Sequence, residues 1–169
     1  MTTDDSLNNA EQPIRVLLVD DHDQVLWGLS KLIEGEKPRM TVAGKAQTIA
    51  QALTAVQDKR PDVVVLDLFL GEESSLDYLP ALRASGAEIL VLTGARDTEM
   101  HRRAMEGGAR TVVLKDEPAE VLLHEIERAN EWRLAPDARQ QDCHLAVATR
   151  IAGFISSTCL LYTSDAADD

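Results

Sequence analysis

Short apolar runs and amphipathic stretches alternate along the chain from Pro13 to about Ala129. Five runs rich in Val, Ile and Leu predict strands over 14–20, 40–44, 63–67, 89–93 and 111–115. Between them, Val25, Leu26, Leu29, Leu32 and Ile33 form one helical stripe, and Ile49, Leu53 and Val56 a second, with Thr48 as its expected N-cap. Leu76, Leu79 and Leu82 mark a third. The fourth, over 97–106, is weaker, setting Met100, Ala104 and Met105 against Arg102 and Arg103. A fifth opens at Pro118, a favoured first-turn residue, and carries Val121, Leu122 and Ile126. Strand–helix alternation implies a parallel sheet, and continuously apolar strands imply a sheet covered on both faces. Right-handed crossovers then give an α/β, doubly wound three-layer sandwich.

Four of these runs end on residues suited to phosphate chemistry. LLVDD ends on Asp20 and Asp21, VVVLD on Asp67, ILVLT on Thr93 and TVVLK on Lys115. In an open parallel sheet the carboxyl ends of the strands are where a ligand site forms, so residues far apart in sequence are expected to meet. Asp20, Asp21 and Asp67 would place three carboxylates in one crevice, which is unfavourable unless protons or a cation neutralise them. All-oxygen ligation with open water positions suits Mg²⁺. With one such ion and the Lys115 ammonium the site would be neutral, and two cationic elements would face an incoming phosphoryl group. Asp67, on the central strand, is placed as the nucleophile. Thr93 offers a hydroxyl donor, and Gly94 keeps the approach open. His22 reads as an exposed loop or cap residue rather than a ligand, and His101 and His124 as parts of solvated helix faces.

The chain has 169 residues, enough for one domain with a sizeable core plus an appendage. Its formal net charge of -12 argues against direct binding of nucleic acid. No apolar run is long enough to cross a bilayer, and the polar start MTTDDSLNNAEQ lacks the blocks of a secretion signal. Cys143 and Cys159 both lie outside the patterned region, so a cytoplasmic location is expected.

The motifs VDDH (Asp20, Asp21), PDVVVLDL (Asp67), VLTGA (Thr93) and GARTVVLKD (Lys115) occur in the order and approximate spacing of a known family. Residues 13–130 resemble the CheY-like receiver domain of two-component response regulators. The resemblance implies a flavodoxin-like sheet of order 2-1-3-4-5 and a phosphoryl group accepted on Asp67 from a histidine kinase or phosphotransfer protein. It implies Mg²⁺ held by Asp20, Asp21, Asp67 and the backbone carbonyl of Phe69, with Thr93 and Lys115 binding the phosphoryl group. Such a domain is not an enzyme, though it assists its own phosphorylation and dephosphorylation.

Two departures from the family pattern stand out, and one further pair of residues bears on kinetics. Val112 occupies a position that is often Tyr or Phe, so the usual inward-turning ring is absent. Gly71 and Ser75 stand where Pro and Gly are common. Phe69 and Ala95, two residues beyond Asp67 and Thr93, cannot orient an attacking water, so slow hydrolysis of the acyl phosphate is expected.

Residues 1–12 read as a disordered lead-in and 131–158 as a linker or the start of an output region, with a short helix over 144–155. The KDEP sequence at Lys115–Pro118 and this linker resemble regulators with a LuxR-type helix-turn-helix output domain. DNA contact would come only through that output domain, expected to be missing here, and a homodimer is possible. Cys159 to Asp168 matches the in-frame translation of a transposase sequencing adapter, TGT CTC TTA TAC ACA TCT GAC GCT GCC GAC, and 159–169 are expected to be an artefact. Two other functions compete with the receiver. A Mg²⁺-dependent phosphatase of the haloacid dehalogenase type uses similar residues but expects D-x-D, and Asp67-Leu68-Phe69 lacks the second carboxylate. A receiver-shaped binding module that is no longer phosphorylated is the third reading.

Overall fold

The structure, a computed structural model, describes residues 12–135, and its first compact unit ends at Arg133. The expected linker helix over 144–155, the adapter-like stretch and residues 1–11 lie outside the described residues.

Continuously apolar strands form the centre. β1 (Ile14–Val19), β2 (Met40–Ala46), β3 (Val63–Leu66), β6 (Glu88–Thr93) and β7 (Thr111–Leu114) make one parallel sheet of order β2-β1-β3-β6-β7. Between β3 and β6 lies a two-stranded antiparallel hairpin of β4 (Phe69–Leu70) and β5 (Glu73–Ser74), which the sequence pattern does not signal. Apart from this insertion the topology is the expected 2-1-3-4-5.

Side chains alternate across the sheet, and each face has its own core. Val16, Leu18, Val63, Val65, Leu90, Leu92 and Val113 pack with α1 (Asp23–Gly35) and α5 (Ala119–Leu134), through Leu26 and Ile33 and through Leu122, Ile126 and Ala129. Leu17, Val19, Val64, Leu66, Ile89 and Val91 pack with α2 (Ile49–Lys59), α3 (Leu79–Arg83) and α4 (Thr98–Glu106). Burial on both faces explains why these strands read as unbroken apolar runs.

The helix ends follow the sequence in most places. Thr48 caps α2 by accepting from the Gln51 N–H at 3.2 Å. α4 has a thin apolar stripe, yet Asp97 caps it by accepting from Glu99 and Met100 N–H groups, and Arg102 pairs with both Glu99 and Glu106 along its outer face. α5 begins at Ala119, one residue later than predicted, with the Pro118 carbonyl accepting from Val121 N–H. The third helical stripe splits into a 3₁₀ turn (Ser75–Tyr78) followed by α3, with Pro80 in the first turn of α3. β2 runs two residues past its predicted end, because a register shift between Val16 and Leu17 pairs Leu17 with Gly44 and continues to Val19 with Ala46.

Candidate phosphoacceptor site

β1, β3, β6 and β7 end side by side, and the residues at or just beyond their carboxyl ends form the site. Asp20 follows β1, Asp67 follows β3, Thr93 closes β6 and Lys115 follows β7. The parallel register aligns these ends: Val19 lies beside Leu66, and Thr93 beside Leu114. The backbone continues the pairing one step further, since Asp67 N–H donates to Val19 O at 2.9 Å and Lys115 N–H to Thr93 O at 2.8 Å.

Lys115 joins the two central carboxylates. Its Nζ donates to Asp20 Oδ2 at 2.8 Å and to Asp67 Oδ2 at 2.9 Å. Asp20 and Asp67 are both buried, and Asp21 is half-buried beside them. Burial pushes the Asp67 carboxyl above its ordinary value, Lys115 only partly offsets this, and the neighbouring Asp20 charge adds to the rise. Burial acts the same way on Asp20, but there the bonds from Lys115 and from the His22 backbone and ring prevail and hold it below the usual range. Burial would lower Lys115, and its two carboxylate partners raise it instead, so it stays a cation.

One ligand atom from each of Asp20, Asp21, His22 and Asp67 lies within 4.8 Å of the others. Asp21 Oδ1 is buried and makes no hydrogen bond of acceptable geometry, although His22 Nδ1 is 2.9 Å away. Three clustered carboxylates, two of them sharing one lysine and the third with an unbonded buried oxygen, fit a hard divalent cation held by oxygen. His22 occupies the N-cap position of α1, without a side-chain cap bond, and is largely exposed, as the sequence suggested; its ring in addition lies against the site, 3.0 Å from Asp20 Oδ1. Its position immediately after the two aspartates was the available signal.

The other expected residues sit around this centre. Thr93 is buried, and its Oγ1 accepts from Ala95 N–H at 3.1 Å, which shapes the loop into α4. His101, read as solvated, also reaches that loop, with Nε2 2.7 Å from Ala95 O. Phe69 is 41% exposed and opens the hairpin, its N–H 3.5 Å from Asp67 Oδ1. Val112 is half-buried and packs against the core on the α2–α4 face, as an ordinary core residue would. Ser75 is fully buried, and Gly71 adopts φ +66°, a conformation closed to the proline common at that position.

The sequence model of the family described as the response regulator receiver domain matches residues 16–127, the segment that carries every one of these groups. The chain belongs to that family. Among its relatives, the receiver is 31% identical over 116 residues to the transcriptional regulatory protein YdfI of Bacillus subtilis, covering 68% of this chain and 54% of that protein. It is also 31% identical over 150 residues to a protein-glutamate methylesterase/protein-glutamine glutaminase of Nitrobacter winogradskyi, covering 86% of this chain and 34% of that one. A solved two-component response regulator of the LuxR family from Aurantimonas is 29% identical, with a TM-score of 0.66 over 80% of this chain and 99% of that one. The chain thus spans a third to about half of these curated relatives. Among the described residues, no helix is long and apolar enough to cross a membrane.

Proposed function

We propose that this receiver accepts a phosphoryl group on Asp67 from a histidine kinase or a phosphotransfer protein, with Mg²⁺ as its metal, and thereby switches an output that controls transcription. The observation that carries this reading is the Lys115 ammonium bonded at once to Asp20 and Asp67 among more carboxylates than it can neutralise. Asp20, Asp21, Asp67 and the Phe69 carbonyl would hold the ion. When bound, the ion would supply the positive charge that lets the Asp67 carboxylate and an anionic phosphoryl group approach each other.

In the transfer, a carboxylate oxygen of Asp67 forms a bond to phosphorus while the bond from phosphorus to the donor imidazole nitrogen breaks. The electron pair of that bond stays on the imidazole. Lys115 is free to follow the charge, because its flexible stem carries a point charge that can shift from the Asp67 carboxylate to a phosphoryl oxygen. Thr93 turns to donate its hydroxyl to another phosphoryl oxygen, a donation that its present acceptance from the Ala95 N–H leaves available. These two movements at the ends of β6 and β7 are the start of the output signal. With Val112 in place of an aromatic ring, the signal passes through packing of the loop into α4 and of β7.

Phe69 and Ala95 present no group able to orient water, so the acyl phosphate should persist in the presence of Mg²⁺. Decay within seconds would contradict that expectation. Residues 13–130 would be the receiver and 131–158 the linker to a LuxR-type output domain that alone contacts DNA, in a cytoplasmic regulator able to form homodimers. The similarity to a transcriptional regulatory protein and to a LuxR-family response regulator supports this output. The reading is tested by incubating the chain with Mg²⁺ and a small phosphodonor such as acetyl phosphate. Wild type should gain the mass of one phosphoryl group and Asp67→Asn should not; an unchanged wild type would reject the proposal. Continuous release of phosphate from a monoester, dependent on Asp67, would favour the phosphatase instead.

A further inference from the structure

The loop after Asp67 departs from the usual family sequence at Gly71 and Ser75, and both residues hydrogen-bond to the site. The Gly71 N–H donates to Asp21 Oδ2 at 2.9 Å, across fifty positions of sequence. Proline could not do this, having no N–H and a φ fixed near about −65°, whereas Gly71 sits at +66°. The Ser75 hydroxyl lies 2.7 Å from Asp67 O and 3.1 Å from Leu68 O, and the Ser75 N–H donates to Leu68 O at 2.9 Å. A glycine there could make only the last of these contacts. Between the two anchors, Phe69 pairs with Ser74 and Leu70 with Glu73. The hairpin is therefore fastened at its base to the backbone of the acceptor and at its turn to a carboxylate of the acidic cluster.

This fastening leaves Asp21 with two unlike oxygens. Oδ2 is taken by Gly71, while Oδ1 is buried without a hydrogen bond, with the exposed His22 ring 2.9 Å away. We infer that Gly71 is a positioning residue for the divalent cation: its N–H orients the Asp21 carboxylate so that Oδ1 is left for the metal, and Ser75 secures the hairpin that carries it. The inference rests on the reading of this chain as a Mg²⁺-dependent receiver and adds to it a residue with no ligand atom of its own. A carboxylate ordered before the ion arrives has less freedom to lose on binding, and hydrogen bonds from outside a metal's ligand set commonly tune its affinity in this way.

A Cβ added at Gly71 meets nothing within 4 Å, so its φ of +66° rather than space decides which substitutions fit. Asparagine tolerates the left-handed conformation and keeps the N–H, whereas proline removes both. Mg²⁺ alone, without a phosphodonor, is titrated into the full chain and followed by amide chemical shifts, with thermal unfolding in a chelator as the check on folding. Gly71→Pro should bind Mg²⁺ about tenfold more weakly than wild type. Gly71→Asn should stay within about twofold of it. In an Asp21→Ala background, Gly71→Pro should cause no further loss, because the two changes act on one contact. Wild-type affinity in Gly71→Pro, equal weakening by Gly71→Asn, or a full proline effect in the Asp21→Ala background would each overturn the role of Gly71. A wild-type chain that binds no Mg²⁺ would overturn the receiver reading as well, so the two failures are distinguishable.

Discussion

The two edges of the sheet treat buried charge in opposite ways. At the edge where the parallel strands begin, two acidic groups each have an arginine partner. Glu88, buried at the start of β6, pairs with Arg83 at 2.8 Å, and Asp62, just before β3, pairs with Arg133 at 2.9 Å while also accepting from the Arg15 N–H. At the edge where the strands end, Asp20, Asp21 and Asp67 gather around one lysine and the exposed ring of His22. The first edge is paired by arginines of the chain itself and reads as structural, although Glu88 Oε2, like Asp21 Oδ1, is buried without a hydrogen bond. The second holds more carboxylates than Lys115 can neutralise, which fits the proposed site for a cation.

This contrast predicts a division between variants that abolish function and variants that loosen the fold. The largest effect is expected for Asp67→Asn, which should remove phosphoryl uptake completely, read by intact mass, without lowering the unfolding free energy. Arg83→Ala should do the reverse. It leaves the Glu88 carboxylate buried without its cation, and a loss of about 2–3 kcal/mol is expected, at or below the low end for buried pairs because Arg83 is one-third exposed. Phosphoryl uptake by Arg83→Ala should match wild type; a loss of uptake with the fold intact would break the division between the edges.

A smaller effect separates the two buried aspartates. Asp20 is held below its usual value of 3.8, so its contribution to stability is present above that pH and is lost as pH falls through the folded value. Asp67 is held above 3.8, so its contribution is present below that pH and is lost as pH rises through the folded value. In metal-free protein at neutral pH, Asp20→Asn should therefore destabilise by about 1–2 kcal/mol through its lost charged hydrogen bonds. Asp67→Asn should stabilise. Denaturant melts across the pH range check this, and both differences should shrink toward acid. Destabilisation by both variants at pH 7 would contradict the assigned directions.

The sheet and most of the site were legible in the sequence because both write long, low-ambiguity signals. Strands buried on two faces give unbroken apolar runs, and their carboxyl ends mark where Asp20, Asp67, Thr93 and Lys115 must fall. The hairpin was not legible, since β4 and β5 are two residues each and are held by Gly71, Ser75 and one tight turn rather than by any periodicity. α4 looked weak because its apolar stripe is thin, Ala104 with Met100 and Met105, and its Asp97 cap and Arg102 ion pairs leave no periodic signal. The ring contacts of His22 and His101 were not legible for a related reason: each depends on where the chain returns in space, at the acidic cluster for one and at Ala95 O for the other.

The central claim, that the unbalanced edge exists to place a phosphoryl group on Asp67, is tested most directly by locating the modification. The chain is phosphorylated with acetyl phosphate and Mg²⁺, and the acyl phosphate is then reduced with borohydride, which converts the modified aspartate to homoserine for peptide mass mapping. The account predicts homoserine at position 67 and at neither 20 nor 21. Reduction at another carboxylate, or at none, would contradict it.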